Sequence, residues 1–207
     1  MGRALGRRAS RISGAARPGA GGLAIFGPRL DGERGISLRP PTLETFKREI
    51  LWMLEPETTR FWGWRTLSRG DDEIEKRFKE QASGTTNVAW AIHLEEEHVG
   101  FTGIFDIDWV ARDGESGIFI GRSDLYGRGI ASEAIRLRTA FAWDELRIRR
   151  VHNWIVMRNR GSRRANEKAG YRQMGRLREA YFRTGQWHDE WLGEILLDPS
   201  PGLPRKD

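Results

Sequence analysis

The sequence LYGRGIASEA, residues 125–134, decides the fold of this chain. It follows the short apolar run Ile118-Phe119-Ile120, and apolar residues recur behind it at roughly helical spacing. Gly127 and Gly129 have no Cβ, so the backbone there allows an anion to approach closely. Unpaired N–H groups at the start of the following helix add partial positive charge. This order of strand, turn and helix predicts a phosphate-binding turn, although a tight turn without a ligand has the same sequence features.

A second block, residues 151–171, follows about one structural unit later. Residues 151–157 are typical of a buried strand, and residues 159–162 of a turn with a helix cap. Residues 163–169 then predict a short helix that Gly170 ends. The two blocks therefore place two strand–turn–helix units in succession.

Three motifs in these blocks carry a family resemblance. They are Gly127-x-Gly129-x-Ala131 with Glu133-Ala134, then Asn159-x-x-Ser162, then Glu167-Lys168-x-Gly170-Tyr171. In this order they resemble the GNAT superfamily of acetyl-CoA-dependent N-acetyltransferases, especially the branch that includes the ribosomal-protein N-terminal acetyltransferases. The resemblance covers residues 36–197. It implies a single α/β domain of the α+β type, with a mixed, mostly antiparallel central sheet flanked by helices.

The resemblance also implies a cofactor, acetyl-CoA, as the acetyl donor. Its pantetheine arm is expected beside residues 118–120, where this strand parts from the strand of residues 151–157. A backbone N–H of the first strand would stabilise the oxyanion formed when a neutral amine attacks the thioester directly. The positions that match the cofactor motif are Ile118, Phe119, Ile120, Tyr126, Gly127, Arg128, Gly129, Ile130, Ala131 and Asn159. Many family members have Gln or Arg where this chain has Tyr126.

The catalytic residues are less clearly indicated by the motifs. Ser162 matches the family position that would donate a proton toward the departing thiolate, and its alternative role is to cap a helix. Many family members place a tyrosine acid where this chain has Asn166. Glu115, beside the cofactor strand, and Glu179, beside the closing hairpin, are the candidate bases. Each of these carboxylates has the alternative of being an ordinary surface group.

Two segments are expected to bind the acceptor, because the family builds its acceptor site there. Trp62 and Trp64 lie between the first two predicted helices, and Tyr181 and Trp187 lie on a predicted hairpin near the end of the chain. Ordinary core packing is the alternative for these aromatic residues. The expected partner is an amine acceptor, either a peptide N terminus or a small amine.

Amine chemistry slightly favours a protein α-amine or an amino sugar over a polyamine. An α-amine with a pKa of about 7.8 is roughly 15% neutral at pH 7, whereas a lysine-like amine near 10.4 is neutral about four times in ten thousand. An acceptor of the first kind needs less help from a base, and the sequence offers no obvious strong base.

Net positive charge is concentrated at the N terminus. The chain has 207 residues and a formal net charge of +6. Residues 1–30 contain no acid but hold six arginines, namely Arg3, Arg7, Arg8, Arg11, Arg17 and Arg29. Because Gly, Ala, Ser and Pro fill most of the remainder, we expect a disordered extension or an organelle transit peptide. Residues 31–198 then form one domain and residues 199–207 a short tail, in a protein that is cytoplasmic unless residues 1–30 direct import.

Composition excludes several classes of site. The chain has no cysteine, which removes disulfides and thiolate chemistry. Its histidines, His93, His98, His152 and His188, lack the spacing of metal ligands, so we expect no metal. No apolar run approaches the roughly 18 residues of a membrane-spanning helix, so we expect no membrane partner.

Acidic and basic residues are segregated within the domain. The acidic set is Glu95, Glu96, Glu97, Asp106, Asp108, Asp113 and Glu115, and the basic set is Arg147, Arg149, Arg150, Arg158, Arg160, Arg163 and Arg164. The segregation predicts two sides, one screening the cofactor phosphates and one attracting a cationic acceptor, and a solvated mixed surface is the alternative. RNA binding by the arginines is disfavoured because no aromatic-studded nucleic-acid module is present.

The rest of the pattern fits the same domain. It predicts strands at residues 36–39, 88–94, 99–107 and 115–120, helices at 43–54 and 71–82, and a hairpin of residues 180–183 and 187–197. Thr42 is expected to cap the first of these helices. The leading function is an acetyl-CoA-dependent N-acetyltransferase that acts on a primary amine, as a monomer or a homodimer. The alternatives are a catalytically silent CoA-binding or protein-interaction module and an RNA-associated protein with a basic tail.

Overall fold

The computed structural model describes residues 26–62, 70–183 and 185–197 of the chain. The strands are β1 (Leu30–Asp31), β2 (Ile36–Arg39), β3 (Val88–Leu94), β4 (Glu97–Asp108), β5 (Asp113–Ile120), β6 (Arg150–Val156), β7 (Arg172–Arg183) and β8 (Gln186–Leu196). The helices are α1 (Leu43–Trp52), α2 (Asp71–Ser83), α3 (Ile130–Asp144) and α4 (Arg160–Lys168), and a single 3-10 turn covers Ser123–Leu125.

The strands form one eight-stranded sheet in the order β1-β2-β3-β4-β5-β6-β8-β7. Its neighbouring strands are antiparallel except β5 and β6, which are parallel. Helices α1 and α2 cover one face, and α3 and α4 cover the other. The expected fold class, a mixed and mostly antiparallel sheet flanked by helices, is confirmed.

The core lies mainly between α3 and the central strands. The ring of Trp90 on β3 is fully buried and meets Phe141 of α3 edge-on, with ring centroids 5.3 Å apart. Ile104, Ile135 and Val151 are also fully buried and bring β4, α3 and β6 into the same cluster. Burial of this apolar surface holds the cofactor strand, β5, between two packed neighbours.

The first described residues already contact the sheet. Phe26 forms a β-bridge with Ala89, Gly27 N–H donates to the Ala89 carbonyl at 3.1 Å, and the indole of Trp90 donates to the Pro28 carbonyl at 3.0 Å. Leu30, expected to end the extension, lies within β1. The boundary expected after residue 30 therefore falls inside a segment that packs on the domain. Residues 1–25 and 198–207 lie outside the described residues.

Most element boundaries agree with the sequence pattern, and β7 differs most. The side chain of Thr42 caps α1 as predicted, and it forms a capping box with Thr45. The pattern predicts a last hairpin that begins near residue 180, but β7 starts at Arg172. The first half of β7 is mostly exposed and polar, so it lacks the apolar alternation that marks a half-buried strand.

The expected separation of acidic and basic sides is not complete. Asp113 Oδ2 lies 3.1 Å from a guanidinium nitrogen of Arg150, and Asp113 Oδ1 lies 3.0 Å from Nδ1 of His152. Arg150 also pairs with Glu194 at 2.8 Å, which raises the pKa of its guanidinium. Parallel pairing of β5 with β6 brings these residues together, because it places Asp113 directly opposite Arg150. In the part of the chain that the structure describes, no helix is long and apolar enough to cross a membrane.

Candidate active site

A cleft opens between β5 and β6 where their pairing stops. The two strands pair at Asp113, Gly114 and Glu115 only, the last of these opposite His152. β5 continues alongside β4, with Gly117 opposite Gly103 and Phe119 opposite Phe101. Beyond Glu115, none of the described strands pairs with the edge of β5 that faces β6. We call this opening the β5–β6 cleft.

The main chain of Ile118 faces this cleft. In an antiparallel pair, alternate residues direct both N–H and C=O toward the same neighbouring strand. Gly121 N–H donates to the Val99 carbonyl at 2.9 Å, so Gly121, Phe119 and Gly117 face β4. The N–H groups of Ile118 and Ile120 therefore point toward the cleft, where no described strand meets them. This geometry leaves hydrogen-bonding groups for a ligand.

Tyr126 partly closes the end of the cleft. Its hydroxyl donates to the Ile120 carbonyl at 3.2 Å, and burial raises the pKa of this phenol, which keeps the donor proton in place. The carbonyl of Ile120 is thus already engaged. Phe119 differs from its neighbours, because its main chain pairs with β4 and its ring is buried against Phe101 and Trp62.

The glycine-rich turn follows directly and has the backbone conformation that glycine favours. Gly127 has φ +79° and Gly129 has φ +82°, both in the left-handed region. Gly129 is the N-cap of α3, so the N–H groups of Ile130 and Ala131 begin the helix without an intrahelical acceptor. A Cβ on Gly129 would also lie 2.8 Å from the guanidinium of Arg34.

Arg34 is a residue of this turn that the sequence did not reveal. It lies on the connection between β1 and β2, and its guanidinium donates to the Arg128 carbonyl at 3.4 Å across a separation of 94 residues. The neighbouring Glu33 N–H donates to the Glu133 carboxylate of α3 at 2.9 Å. These contacts bring two exposed guanidiniums, those of Arg34 and Arg128, to the start of α3.

The N-cap residue of α4 is Asn159, not Ser162. The Asn159 side chain accepts from Ser162 N–H at 3.1 Å, which makes Asn159 the N-cap and Ser162 the third residue of the helix. The expected cap at Ser162 is therefore wrong. Asn166, which stands where many relatives have a tyrosine, is buried and accepts from Asn153 of β6 at 2.7 Å. Its amide also donates to the Ser162 carbonyl at 2.9 Å, so Asn166 ties α4 to the sheet.

Several aromatic residues lie on the face of β5 that is turned away from α3. Trp62 meets Phe101 and Phe119 edge-on, with ring centroids 5.7 Å and 5.4 Å apart. Its carbonyl accepts from the Tyr181 hydroxyl and from the Arg183 guanidinium, each at 2.8 Å. We call Trp62, Phe101, Phe119 and Tyr181 the aromatic slot. Trp64, also expected here, lies outside the described residues.

Trp187 is not brought into the aromatic slot. It lies opposite Phe182, with ring centroids 5.2 Å apart, and it is 59% exposed. Consecutive side chains of a strand point to opposite faces, so Phe182 and Trp187 lie on the face away from Tyr181. The partner of Tyr181 is His188, whose ring centroid lies 6.3 Å away. His188 therefore lies beside the aromatic slot, whereas Trp187 does not.

The two candidate bases occupy different places. Glu115 is partly exposed at the closed end of the β5–β6 cleft, on the same face of β5 as Phe119 and about 13 Å from it along the strand. Glu179 is exposed within a bulge of β7 and has φ +49°. Its N–H donates to Asp189 Oδ1 at 2.8 Å, and this bond together with the Arg176 guanidinium lowers the pKa of Asp189. The structure gives Glu179 a main-chain role in shaping the hairpin.

Residues 36–172 match the family model of the acetyltransferase (GNAT) domain. The chain belongs to the GNAT family. YjcK of Bacillus subtilis (strain 168), named as an N-acetyltransferase, is 39% identical over 70 residues, which are 34% of this chain and 39% of YjcK. YdaF of the same organism carries the name of a ribosomal N-acetyltransferase and is 30% identical over 104 residues, which are 46% of this chain and 56% of YdaF. The chain thus spans less than two thirds of the length of either relative.

The GNAT fold is also seen in a solved structure. Spermidine N-acetyltransferase from Vibrio cholerae, in complex with CoA and spermine, superposes with a TM-score of 0.72 and covers 78% of this chain and 95% of that chain. The two sequences are 17% identical, so this likeness shows the fold alone.

The residues present fit the acetyl donor of the GNAT family. The first N–H groups of α3 and the guanidiniums of Arg34 and Arg128 suit a diphosphate, because both offer positive charge to an anion. The free N–H of Ile118 suits a carbonyl oxygen in the β5–β6 cleft. Among the described residues, no group of three His, Asp or Glu side chains could hold a metal ion.

Proposed function

We propose that this protein transfers the acetyl group of acetyl-CoA to the α-amine at the N terminus of a peptide or protein. The observation that carries the proposal is the position of the Ile118 N–H. It faces the β5–β6 cleft without a strand partner among the described residues, and the neighbouring residue, Phe119, presents its ring to the aromatic slot. A donor of hydrogen bonds and an acceptor slot thus occupy adjacent positions on one strand.

The cofactor is held at two places in this proposal. Gly127, Gly129 and the first turn of α3 receive the diphosphate, with Arg34 and Arg128 adding charge. The main chain of Ile118 and the N–H of Ile120 receive the pantetheine arm along the β5–β6 cleft. Both places lie outside the hydrogen bonds of the described sheet, so binding costs no strand pairing.

Acetyl-CoA supplies an acetyl thioester whose C–S bond is broken. The nitrogen lone pair of the acceptor forms the new C–N bond to the acetyl carbon, the electrons of the C–S bond leave with sulfur, and the amine loses one proton. The Ile118 N–H donates to the thioester oxygen as negative charge develops there. Ser162, in the first turn of α4, is the candidate that returns a proton to sulfur. Glu115 is the candidate that accepts the proton of the amine, and because it lies about 10 Å along β5 from Ile118, it would do so through water. Glu179 remains a weaker candidate for the second role, because it lies in the bulge of β7.

The aromatic slot favours an α-amine over a polyamine. The rings of Phe101 and Phe119, a hydroxyl and a guanidinium contact Trp62. A polyamine carries several positive charges, and such a ligand is bound best by carboxylates. An α-amine with a pKa of about 7.8 is partly neutral at pH 7 and needs little help from a base. The similarity to YdaF, which carries the name of a ribosomal N-acetyltransferase, points to the same class of acceptor.

A matched set of acceptors tests this proposal. The full chain is incubated with acetyl-CoA and one of two forms of the same peptide. One form has a free α-amine and an acetylated lysine, and the other has an acetylated α-amine and a free lysine. Several first residues are compared, spermidine is included, and acetylated product is measured by mass spectrometry together with free thiol. We expect the first form to react at least about tenfold faster than the second and than spermidine.

Two results would count against the proposed acceptor. Faster acetylation of spermidine or of the lysine side chain assigns the slot to a small or side-chain amine. Binding of acetyl-CoA without transfer to any of these amines removes the α-amine assignment and leaves only the cofactor site.

A further inference from the structure

Arg138 on α3 places a guanidinium in the core directly beneath the cofactor strand. The residue is fully buried. One terminal nitrogen donates to the Thr102 hydroxyl at 2.7 Å and to the Gly117 carbonyl at 2.8 Å, and the other donates to the Tyr171 hydroxyl at 3.2 Å. Its Nε has no hydrogen-bond partner within the described residues. The guanidinium thus binds a carbonyl and two hydroxyls.

This arrangement is unusual because no carboxylate forms an ion pair with Arg138 in the part of the chain that the structure describes. Burying a charge without a partner of opposite sign costs several kcal/mol, and an apolar side chain of similar volume is often as stable or more stable. Ser116 and Thr139, both buried, place further hydroxyls 3.4 Å from the Tyr171 hydroxyl. The hydroxyls of Thr102 and Tyr171 solvate the cation but do not neutralise it. Stability alone therefore does not explain an arginine here.

The bond from Arg138 to Gly117 reaches the cleft through one peptide group. The carbonyl of Gly117 and the N–H of Ile118 belong to the same peptide unit, and a trans peptide points them in opposite directions. The carbonyl faces β4, where Arg138 and Thr102 donate to it. The N–H faces the β5–β6 cleft. A charge-assisted bond at the oxygen polarises the peptide and makes its N–H a stronger donor.

We propose that Arg138 is a positioning residue for acetyl transfer, which fixes and polarises the Gly117–Ile118 peptide so that the Ile118 N–H stabilises charge on the thioester oxygen. This inference rests on the proposed function for the reaction itself. It does not depend on which amine is the acceptor. Since the diphosphate binds elsewhere, at the glycine-rich turn, loss of Arg138 should affect turnover far more than cofactor affinity.

Two substitutions at this position separate charge from packing. Arg138→Met keeps an unbranched apolar stem and removes the guanidinium, and Arg138→Lys keeps the positive charge with a simpler donor. We expect Arg138→Met to lower kcat at least about tenfold while KM for acetyl-CoA changes less than about threefold, since each lost tenfold corresponds to about 1.4 kcal/mol at the transition state. Arg138→Lys should recover part of kcat. Each variant is measured with the best peptide acceptor of the parent.

Tyr171→Phe is the matched control. It removes one partner of Arg138 but leaves the bond to Gly117, so its kcat should stay within about threefold of the parent. A fall in kcat as large as that of Arg138→Met would show that the whole buried cluster acts through packing, and would overturn the role of the Gly117–Ile118 peptide.

An infrared measurement detects the interaction of the polarised Gly117–Ile118 peptide with the thioester carbonyl, and it needs no amine acceptor. Acetyl-CoA labelled with ¹³C at the thioester carbonyl is bound to each protein, and the carbonyl stretching frequency is recorded. The parent should lower this frequency relative to free acetyl-CoA, and Arg138→Met should reduce the shift, with Arg138→Lys between them.

The infrared result does not depend on turnover, so it can be obtained even if every tested amine fails as an acceptor. Failure of the proposed acceptor and failure of this inference are therefore distinguishable. If Arg138→Met does not fold, the comparison of parent with Arg138→Lys decides. An unchanged carbonyl frequency and unchanged kcat in a folded variant would overturn the proposal.

Discussion

The hydroxyl of Tyr181 donates to the main-chain carbonyl of Trp62 across 2.8 Å, although 119 residues separate the two in sequence. This bond ties the β7–β8 hairpin to the segment that follows α1. It holds one wall of the aromatic slot against the other, with Phe119 of β5 between them.

Tyr181→Phe should therefore raise KM for the amine acceptor several-fold while leaving acetyl-CoA affinity unchanged. The substitution removes one neutral hydrogen bond, worth roughly 1 kcal/mol, and keeps the ring. Steady-state kinetics with the acceptor and calorimetry with acetyl-CoA measure the two effects separately. Trp187→Leu, on the other face of the hairpin, is the control and should change neither. Equal effects of the two substitutions would show that the slot is not where we place it.

Gly129→Val should weaken acetyl-CoA binding severely. The left-handed backbone at Gly129 is strained for a β-branched residue, and the added Cβ would approach the Arg34 guanidinium. Arg34→Leu, which leaves the backbone unstrained, should weaken binding less, and this loss should shrink as salt increases. Calorimetry at two ionic strengths on folded variants checks both. Affinity that survives Gly129→Val would remove the phosphate-binding role of this turn.

Ser162 and Asn159 should differ in what their removal costs. Asn159→Ala removes the observed cap of α4 and should lower stability by about 1 kcal/mol. Ser162→Ala leaves that cap intact, so its stability should stay near that of the parent. If Ser162 protonates the departing thiolate, Ser162→Ala should lose turnover at saturating acetyl-CoA. Full turnover of the folded Ser162→Ala protein would eliminate the serine as an essential acid, leaving a water or another residue as the donor.

A buried acid on α1 gives the protein an unusual dependence of stability on pH. Glu49 is 6% exposed, and burial raises the pKa of its carboxyl well above the ordinary value. His98, whose Nε2 lies 3.5 Å from Glu49 Oε1, has its pKa lowered to about 4 by burial. Both shifts favour the uncharged form of the side chain in the folded protein.

The signs of these two shifts are opposite. Between pH 4 and 6.5 the unfolded state carries the extra proton on His98, so its contribution to stability rises with pH in this window. Between the ordinary carboxyl pKa and the raised pKa of Glu49, the folded state carries the extra proton on Glu49, so the contribution of Glu49 to stability falls with pH, by up to about 1.4 kcal/mol per pH unit. The His98 effect ends near pH 6.5, the ordinary pKa of histidine.

Glu49→Gln should therefore gain stability relative to the parent as pH rises from 5 to 8.5, because the His98 contribution is common to both proteins. The amide resembles the protonated acid but cannot ionise. Urea denaturation midpoints at the two pH values measure the difference, and Glu44→Gln on the exposed side of α1 serves as the control. A constant difference between Glu49→Gln and parent from pH 5 to 8.5 would mean that Glu49 has an ordinary pKa.

The sequence pattern predicted the elements whose signals are local. The Thr42 cap, the strand before the glycine-rich turn and the turn itself each depend on residues within one turn or one strand. The family resemblance also predicted that the strands of residues 118–120 and 151–157 part from each other, and β5 and β6 do so beyond Glu115. That the cofactor binds in this opening stays a prediction.

What the sequence did not predict depends on contacts across the fold. Arg34 reaches the glycine-rich turn from 94 residues away, and Arg138 looks like any charged residue of a helix until its burial is known. The face taken by Trp187 depends on the register of the hairpin, which a bulge between Leu177 and Tyr181 shifts. A change of register by one residue moves a side chain to the other face of the sheet. The local composition does not indicate which register the hairpin adopts.

The interaction of the Ile118 N–H with the acetyl group is the central claim, and amide NMR tests it most directly. The protein is labelled with ¹⁵N at isoleucine, the Ile118 signal is assigned by its loss in Ile118→Val, and spectra are recorded with acetyl-CoA and with CoA. We predict that the Ile118 amide proton moves downfield with acetyl-CoA and moves clearly less with CoA, because only the thioester supplies the accepting oxygen. An Ile118 signal that stays in place with saturating acetyl-CoA, while the Ile130 signal at the start of α3 shifts, would contradict the claim.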